Sequence, residues 1–444
     1  MRSDPEHNGE TEMKICSAKD IKLVSGVLAA AMLLGGCAGK NDSGKLLKDD
    51  PALKAGIDFD KVKDTEYDGK AMDEQYRRYC FDLLSQTVRD YGGDGNVMIS
   101  PASVMMALDM VAAGAKEDTL QQLTDLFAAG QGPLTQQAYA ASMMDKINGA
   151  KQVKFSCANS VWNNGLLLGS EINTDYVGYI QETFLAEYTV TDFNPDTVGE
   201  INDWIYEHTD HMIREVIDEL DPSTVMVLVN AISFDGEWED PYEEDKVLDG
   251  EFRNADGNIQ TVTFLKDTVS AYFETNKATG FMKEYKGGEY AFLAILPKDG
   301  KISANEFIKD FSAKDYEKFI NSRTDEYKVY SSMPEFESEF EMLMNETLMN
   351  LGASDMFDPG KADLSGISGK PGDIYVSRVI HKTYIEVDAK GTRASAATVV
   401  EMRKFEAAVD MSEFRTVECN RPFVYAIVDT ETMSPVFIGT VNAV

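Results

Sequence analysis

Residues 386–405 read EVDAKGTRASAATVVEMRKF, and their middle, GTRASAAT at 391–398, is a string of small residues with no bulky apolar anchor. From Thr392, alternate positions are Thr392, Ala394, Ala396, Thr398, Val400 and Met402, and the interleaved set is Arg393, Ser395, Ala397, Val399, Glu401 and Arg403. On a β-strand these two sets lie on opposite faces. One face is wholly small or apolar and the other carries the charges, so the segment suits a sheet with the first face inward. A permanent half-buried strand is richer in Val, Ile or aromatic residues. This one suits a segment that slides between strands already in place, where large side chains clash. Gly391 at its start supplies backbone freedom for a hinge.

The surrounding chain supplies strands for it to enter. VMVLVNAISF at 225–234 is a nearly unbroken apolar run, as a central strand covered on both faces requires. YAFLAIL at 290–296 is a second strand, closed by the turn PKDG, and FVYAIVDTETMSPVFIGTVNAV at the C-terminus reads as a buried hairpin. Upstream, Tyr76, Tyr79, Cys80, Leu83 and Leu84 recur at helical spacing. In NVMISPASVMMALDMVAAGA, Ser100 stands where a helix cap belongs, Pro101 at the first helical position and Gly114 at the end. Helices dominate the first half and strands the second without strict alternation, which predicts an α+β fold.

The chain has 444 residues, with 42 Lys and Arg against 76 Asp and Glu, a formal net charge of -34. Such a surface repels nucleic-acid phosphates, so no nucleic-acid partner is expected. It also does not bind anionic headgroups by charge, and it keeps a secreted protein soluble. Four histidines, His7, His208, His211 and His381, lack the neighbours that zinc or a Ser/His/Asp hydrolase needs. There is no G-x-S-x-G elbow, P-loop or G-x-G-x-x-G motif. No metal, cofactor or enzymatic activity is expected.

The N-terminus reads as an address. Lys14, Lys19 and Lys22 precede an apolar run at 23–34, too short for an ordinary membrane span, and then Leu34, Gly35, Gly36 and Cys37. That order resembles the lipobox of bacterial lipoproteins, which implies a signal over residues 1–36, with Met13 as an alternative start, and a lipid anchor on Cys37. The polar residues 37–71 read as a tether, and the folded domain is expected over 72–444. Cys80, Cys157 and Cys419 then remain as small buried hydrophobes rather than a disulfide framework.

From about Tyr76 to Val444 the sequence resembles the serpins. NVMISPASVMMAL, GAKEDTLQQL, LVNAISFDGEWEDPY with Asn230 and Trp238, MPEFESEF, LGASDMFDPGKADLSGIS, IHKTYIEVDAKGT and CNRPFVYAIVDTETMSPVFIGTV follow one another in that family's order. The resemblance implies three β-sheets, about nine helices and a reactive-centre loop at about 388–418. It implies trapping of serine proteases: a protease cuts the loop, an acyl-enzyme forms, and the loop's N-terminal arm enters the main sheet. Gly391 and Thr392 match the hinge, and Ala394 to Ala397, with Ala396 and Thr398 on the inward face, match its small-residue run. Ser100, Ser103, Asn230 and His381 match a polar cluster where the central strands part. One departure is Ala389, where inhibitory serpins usually have Glu; together with the long loop it leaves a non-inhibitory serpin-fold binding protein as the alternative.

The family's arm length, counted from Gly391, places the scissile bond between Phe405 and Glu406, which suits chymotrypsin-like pockets. A one-residue shift exposes Lys404 to trypsin-like proteases. Counting back from Pro422 gives Met411 and Ser412, and Ala407, Ala408 and Val409 suit elastase-like ones. A monomer, held at the bacterial cell surface as a lipoprotein or secreted, is expected.

Overall fold

The computed structural model describes residues 50–444 apart from 129, 210, 212, 214–216, 222 and 393–412. The described residues fall in one compact unit, 43–444. Eight of its eleven α-helices precede residue 209 and thirteen of its sixteen strands follow residue 225. This is the α+β arrangement expected from the runs of helix-like and strand-like sequence.

The strands form three sheets. The main sheet has the order β11 (Phe336–Leu343), β12 (Arg378–Val387), β13 (Gly391–Thr392), β4 (Met226–Glu237), β2 (Val153–Asn164) and β3 (Glu187–Thr191). The second runs β1 (Val97–Ile99), β16 (Pro435–Val441), β15 (Phe423–Asp429), β9 (Tyr290–Pro297), β8 (Ala278–Glu284) and β7 (Tyr272–Glu274). The third holds β14 (Phe414–Glu418), β10 (Lys328–Pro334), β6 (Ile259–Val269) and β5 (Val247–Arg253).

Two short helices open the described chain, α1 (Pro51–Ala55) and α2 (Phe59–Val62). They are followed by α3 (Gly69–Thr87), α4 (Pro101–Gly114), α5 (Glu117–Ala128), α6 (Pro133–Gly149), α7 (Thr174–Phe184) and α8 (Pro195–His208). The last three are α9 (Ala304–Asp310), α10 (Ala313–Ile320) and α11 (Asn345–Asn350). Helix α4 runs through the core with every residue buried, as a mostly apolar helix does, and its one carboxylate, Asp109, accepts from the Gln136 and Gln137 amides. Its cap is the expected one: Ser100 Oγ accepts the Ser103 N–H at 3.2 Å, and Pro101 opens the first turn.

The structure corrects the N-terminal boundary of the folded part. Residues 51–71, expected within the tether, carry α1, α2 and the start of α3. Leu53, Ile57 and Val62 are buried, and α1 and α2 pack against α5 and α6. Phe59 stacks on Tyr179 of α7 at 4.2 Å and 12°. These are non-local contacts made by isolated apolar residues, so no local period announces them. With α3 to α11 they make eleven α-helices among the described residues, α1 and α2 being short ones.

The loop boundaries are also narrower than expected. Of residues 388–418, the first five are held at the end of the main sheet and 414–418 form β14, paired in parallel with β10. Among the described residues no helix is long and apolar enough to cross a membrane, and no cluster of metal-ligating side chains occurs. His208 Nδ1 lies 2.7 Å from the Trp204 carbonyl oxygen. Cys37 and its signal lie outside the described residues.

Candidate functional site at the parting of the main sheet

Strands β4 and β12 face each other in parallel over six residue pairs, from Val227 and Arg378 to Ile232 and Thr383. Beyond Thr383 they part, and β13 stands between them, antiparallel to both. Thr392 pairs with Val387 of β12 and Gly236 of β4, and Gly391 with Glu237. The hinge residues thus already occupy the upper end of a slot whose lower part is still closed.

Glycine at 391 has a steric reason different from the expected conformational freedom. A Cβ there would lie 2.2 Å from the Gly236 carbonyl oxygen and 2.9 Å from Glu237 Cα, so no side chain fits. Thr392 is fully buried and its hydroxyl shares a 2.5 Å hydrogen bond with the Tyr285 hydroxyl. Tyr285 is stacked under Trp238 at 4.6 Å and 11°. Trp238 donates its indole N–H to the Asp388 carbonyl and its backbone N–H to the Lys390 carbonyl, both at 2.9 Å.

The turn before Gly391 is held without an acidic side chain at Ala389. The Asp388 carboxylate accepts the N–H groups of Lys390 at 2.7 Å and Gly391 at 3.0 Å. The Ala389 carbonyl accepts the Tyr242 N–H at 3.0 Å. Burial raises the nearby Glu335 carboxyl above its ordinary range, and the Ala389 backbone opposes that rise. The turn is therefore anchored by the Asp388 carboxylate and by the N–H groups of Trp238 and Tyr242. Tyr285 carries no sequence signal for this work, because it acts through a fold contact.

Below the hinge the structure brings Ser100, Ser103, Asn230 and His381 to one level. The Ser100 N–H donates to His381 Nε2 at 3.0 Å, and Ser100 Oγ donates to the Val436 carbonyl at 2.8 Å. Asn230 is the cross-strand partner of His381, but its amide donates to Asn159 on β2, which in turn donates to the Phe184 carbonyl at 2.8 Å. Asn159 was not singled out in the sequence. The His381 imidazole is 1 % exposed, and burial lowers its pKa to about 3, so it is neutral with its proton on Nδ1. Among the described residues, His381 Nδ1, Asn230 Oδ1 and Ser103 Oγ have no hydrogen-bond partner. Buried orphans of this kind cost stability until something reaches them.

The remaining hinge positions Ala394, Ala396, Ala397 and Thr398 lie outside the described residues. So do the candidate bond residues Lys404, Phe405, Glu406, Ala408, Val409, Met411 and Ser412.

The sequence model of the family described as serpin (serine protease inhibitor) matches residues 74–444. The chain is 28% identical to an uncharacterized serpin-like protein of Methanosarcina acetivorans over 95% of this chain and 98% of that one. It is 29% identical to leukocyte elastase inhibitor A of Mus musculus, over 81% and 96%. Among solved structures, the thermophilic serpin tengpin in its native state superposes with a TM-score of 0.77 at 35% identity, covering 86% of this chain and 96% of that one.

Proposed function

The chain belongs to the serpin family, and from that premise we propose that it traps serine proteases by a cut-and-insert mechanism. The protease serine attacks the carbonyl of Phe405, the bond to the Glu406 nitrogen breaks, and an ester joins the protease to the arm ending at Phe405. The arm from Arg393 onward then enters the main sheet as a full strand between β4 and β12, by strand addition.

The observation that carries this reading is an agreement of registers. Continued along the strand, the pairing of Gly391 and Thr392 places each arm residue between two residues of β4 and β12 that already face each other. The strands need only separate, with no slip along their length. In that register Thr398 arrives between Asn230 and His381, and its hydroxyl reaches the level of their orphaned polar atoms. Val399 arrives on the other face between Val229 and Ile380, in the apolar cluster that also holds Ile201 and Ile205 of α8. Arg393 comes beside Glu386, and Glu401 beside Arg378, two opposite-charge cross-strand pairs. Met402 meets Met226, where β4 begins, so an arm ending at Phe405 spans the strand with three residues to spare.

We assign the bait bond to Phe405 and Glu406 and the targets to the chymotrypsin class, with trypsin-like and elastase-like proteases reached through Lys404 and through Ala408 and Val409. The lipobox-like order at 34–37 supports anchoring of a monomer through Cys37 at a bacterial surface. Mixing the purified protein with chymotrypsin, trypsin and elastase tests the function. A complex stable on a denaturing gel, with a released peptide beginning at Glu406, is expected. Cleavage without any covalent complex overturns inhibition and leaves the non-inhibitory binding protein.

A further inference from the structure

A second site lies where the second and third sheets meet. Arg253 ends β5, Gly300 lies in the turn after β9, and Asn420 and Arg421 link β14 to β15. With Glu251 and Ile259 they line an open cleft of about 430 Å³. Each arginine is pinned by one N–H: Arg253 Nη2 donates to the Gly300 carbonyl, and Arg421 Nη2 to the Pro297 carbonyl at 2.9 Å. The Arg253 N–H donates to the Asn420 carbonyl at 3.0 Å, tying the two strands' ends together.

The two guanidinium groups converge over Gly300. A Cβ on that residue would lie 3.1 Å from Arg421 Nε and 3.6 Å from Arg253 Nη2. Their charges oppose each other: Arg421 is pushed below its ordinary value by burial and then by the charge of Arg253. Among the described residues, neither is in ion-pair contact with a carboxylate, although the chain carries 76 acidic side chains to 42 basic ones. Arg253 is exposed and Arg421 half-buried, whereas the three buried cations among the described residues are neutralised: Arg77 by Glu317, Lys283 by Asp267, and Lys382 by Glu339 and Glu341. Glu251 stands on the exposed rim of the cleft without reaching either arginine.

We propose that this cleft binds a small organic oxyanion, its phosphate or carboxylate head held by the free N–H groups of Arg253 and Arg421. Paired guanidinium forks match such heads in charge and geometry. The cleft is larger than a bare head needs, and Ile259, 61% exposed, offers an apolar wall for the carbon part. The bound anion removes the repulsion between the two arginines and ties β5, the β9 turn and the start of β15 together. The site stands apart from the hinge and does not depend on protease trapping.

Calorimetric titration of the full chain with phenyl phosphate, and separately with benzoate, at fixed ionic strength tests the assignment. Saturable binding of either is expected, and the probe that binds more tightly identifies the head. Arg421→Gln weakens that binding by at least about tenfold, as loss of a charge-assisted contact does. Gly300→Asp places a carboxylate between the guanidinium groups; it abolishes the binding and raises the melting temperature of the free protein. Heats no larger than those of sodium chloride, or equal affinities of Arg421→Gln and the natural chain, overturn the proposal. If Arg421→Gln does not fold, undiminished binding by Gly300→Asp overturns it as well.

Discussion

At the scale of single residues, the hinge is set by what the neighbouring backbone leaves room for. Gly391 touches the β4 main chain so closely that a methyl group displaces it. Gly391→Ala is expected to push β13 out of the slot and lower the stability of the uncut protein by about 1–3 kcal/mol, a typical overpacking cost. Urea denaturation checks this, and an unchanged midpoint contradicts it. His381 makes a prediction in pH. Its imidazole is held neutral with a pKa of about 3, whereas in the unfolded chain it titrates near its ordinary value of about 6.5. Between those values the unfolded state binds the extra proton. Stability from this group is therefore complete above about 6.5 and falls as pH drops, by about 1.4 kcal/mol per unit. Denaturation midpoints at about pH 7 and about pH 5.5 should differ more for the natural chain than for His381→Gln. Equal pH dependence in the two contradicts the buried, neutral assignment.

At the scale of elements, what was legible in the sequence follows from how local each signal is. The Ser100 cap, the mostly apolar α4 and the strands β4, β9, β15 and β16 are written in adjacent residues, and the structure places them as read. The alternation around Thr392 correctly put that side chain inward. The remainder depends on contacts between segments far apart in the chain. Leu53, Ile57, Phe59 and Val62 stand alone among polar residues, and only the surfaces of α5, α6 and α7 give them a purpose. The support of Gly391 and Thr392 by Tyr285 and Trp238 is hidden for the same reason. Helices α1 and α2 yield a prediction: Phe59→Ala removes the stack on Tyr179 and its buried area. A loss of about 1–3 kcal/mol is expected in chemical denaturation. No measurable loss means that this segment does not stabilise the domain.

At the scale of the molecule, the proposed mechanism requires two incompatible arrangements of one sheet. In the present one, β4 and β12 share six parallel pairs and the arm contributes two residues. After cleavage, those pairs are exchanged for two antiparallel ladders along the length of β4, a pairing somewhat stronger per residue. The apolar positions Val399 and Val400 and the hydroxyl of Thr398 become buried in the process. Under the proposed mechanism the chain is folded short of its best pairing while the loop is intact. Comparing the melting temperature of intact protein with that of protein nicked in the loop by a catalytic amount of protease measures this difference directly. The inserted strand predicts a nicked form that melts well above the intact one. Nicked protein that melts at the same temperature or lower has gained no strand, which contradicts the proposed trap.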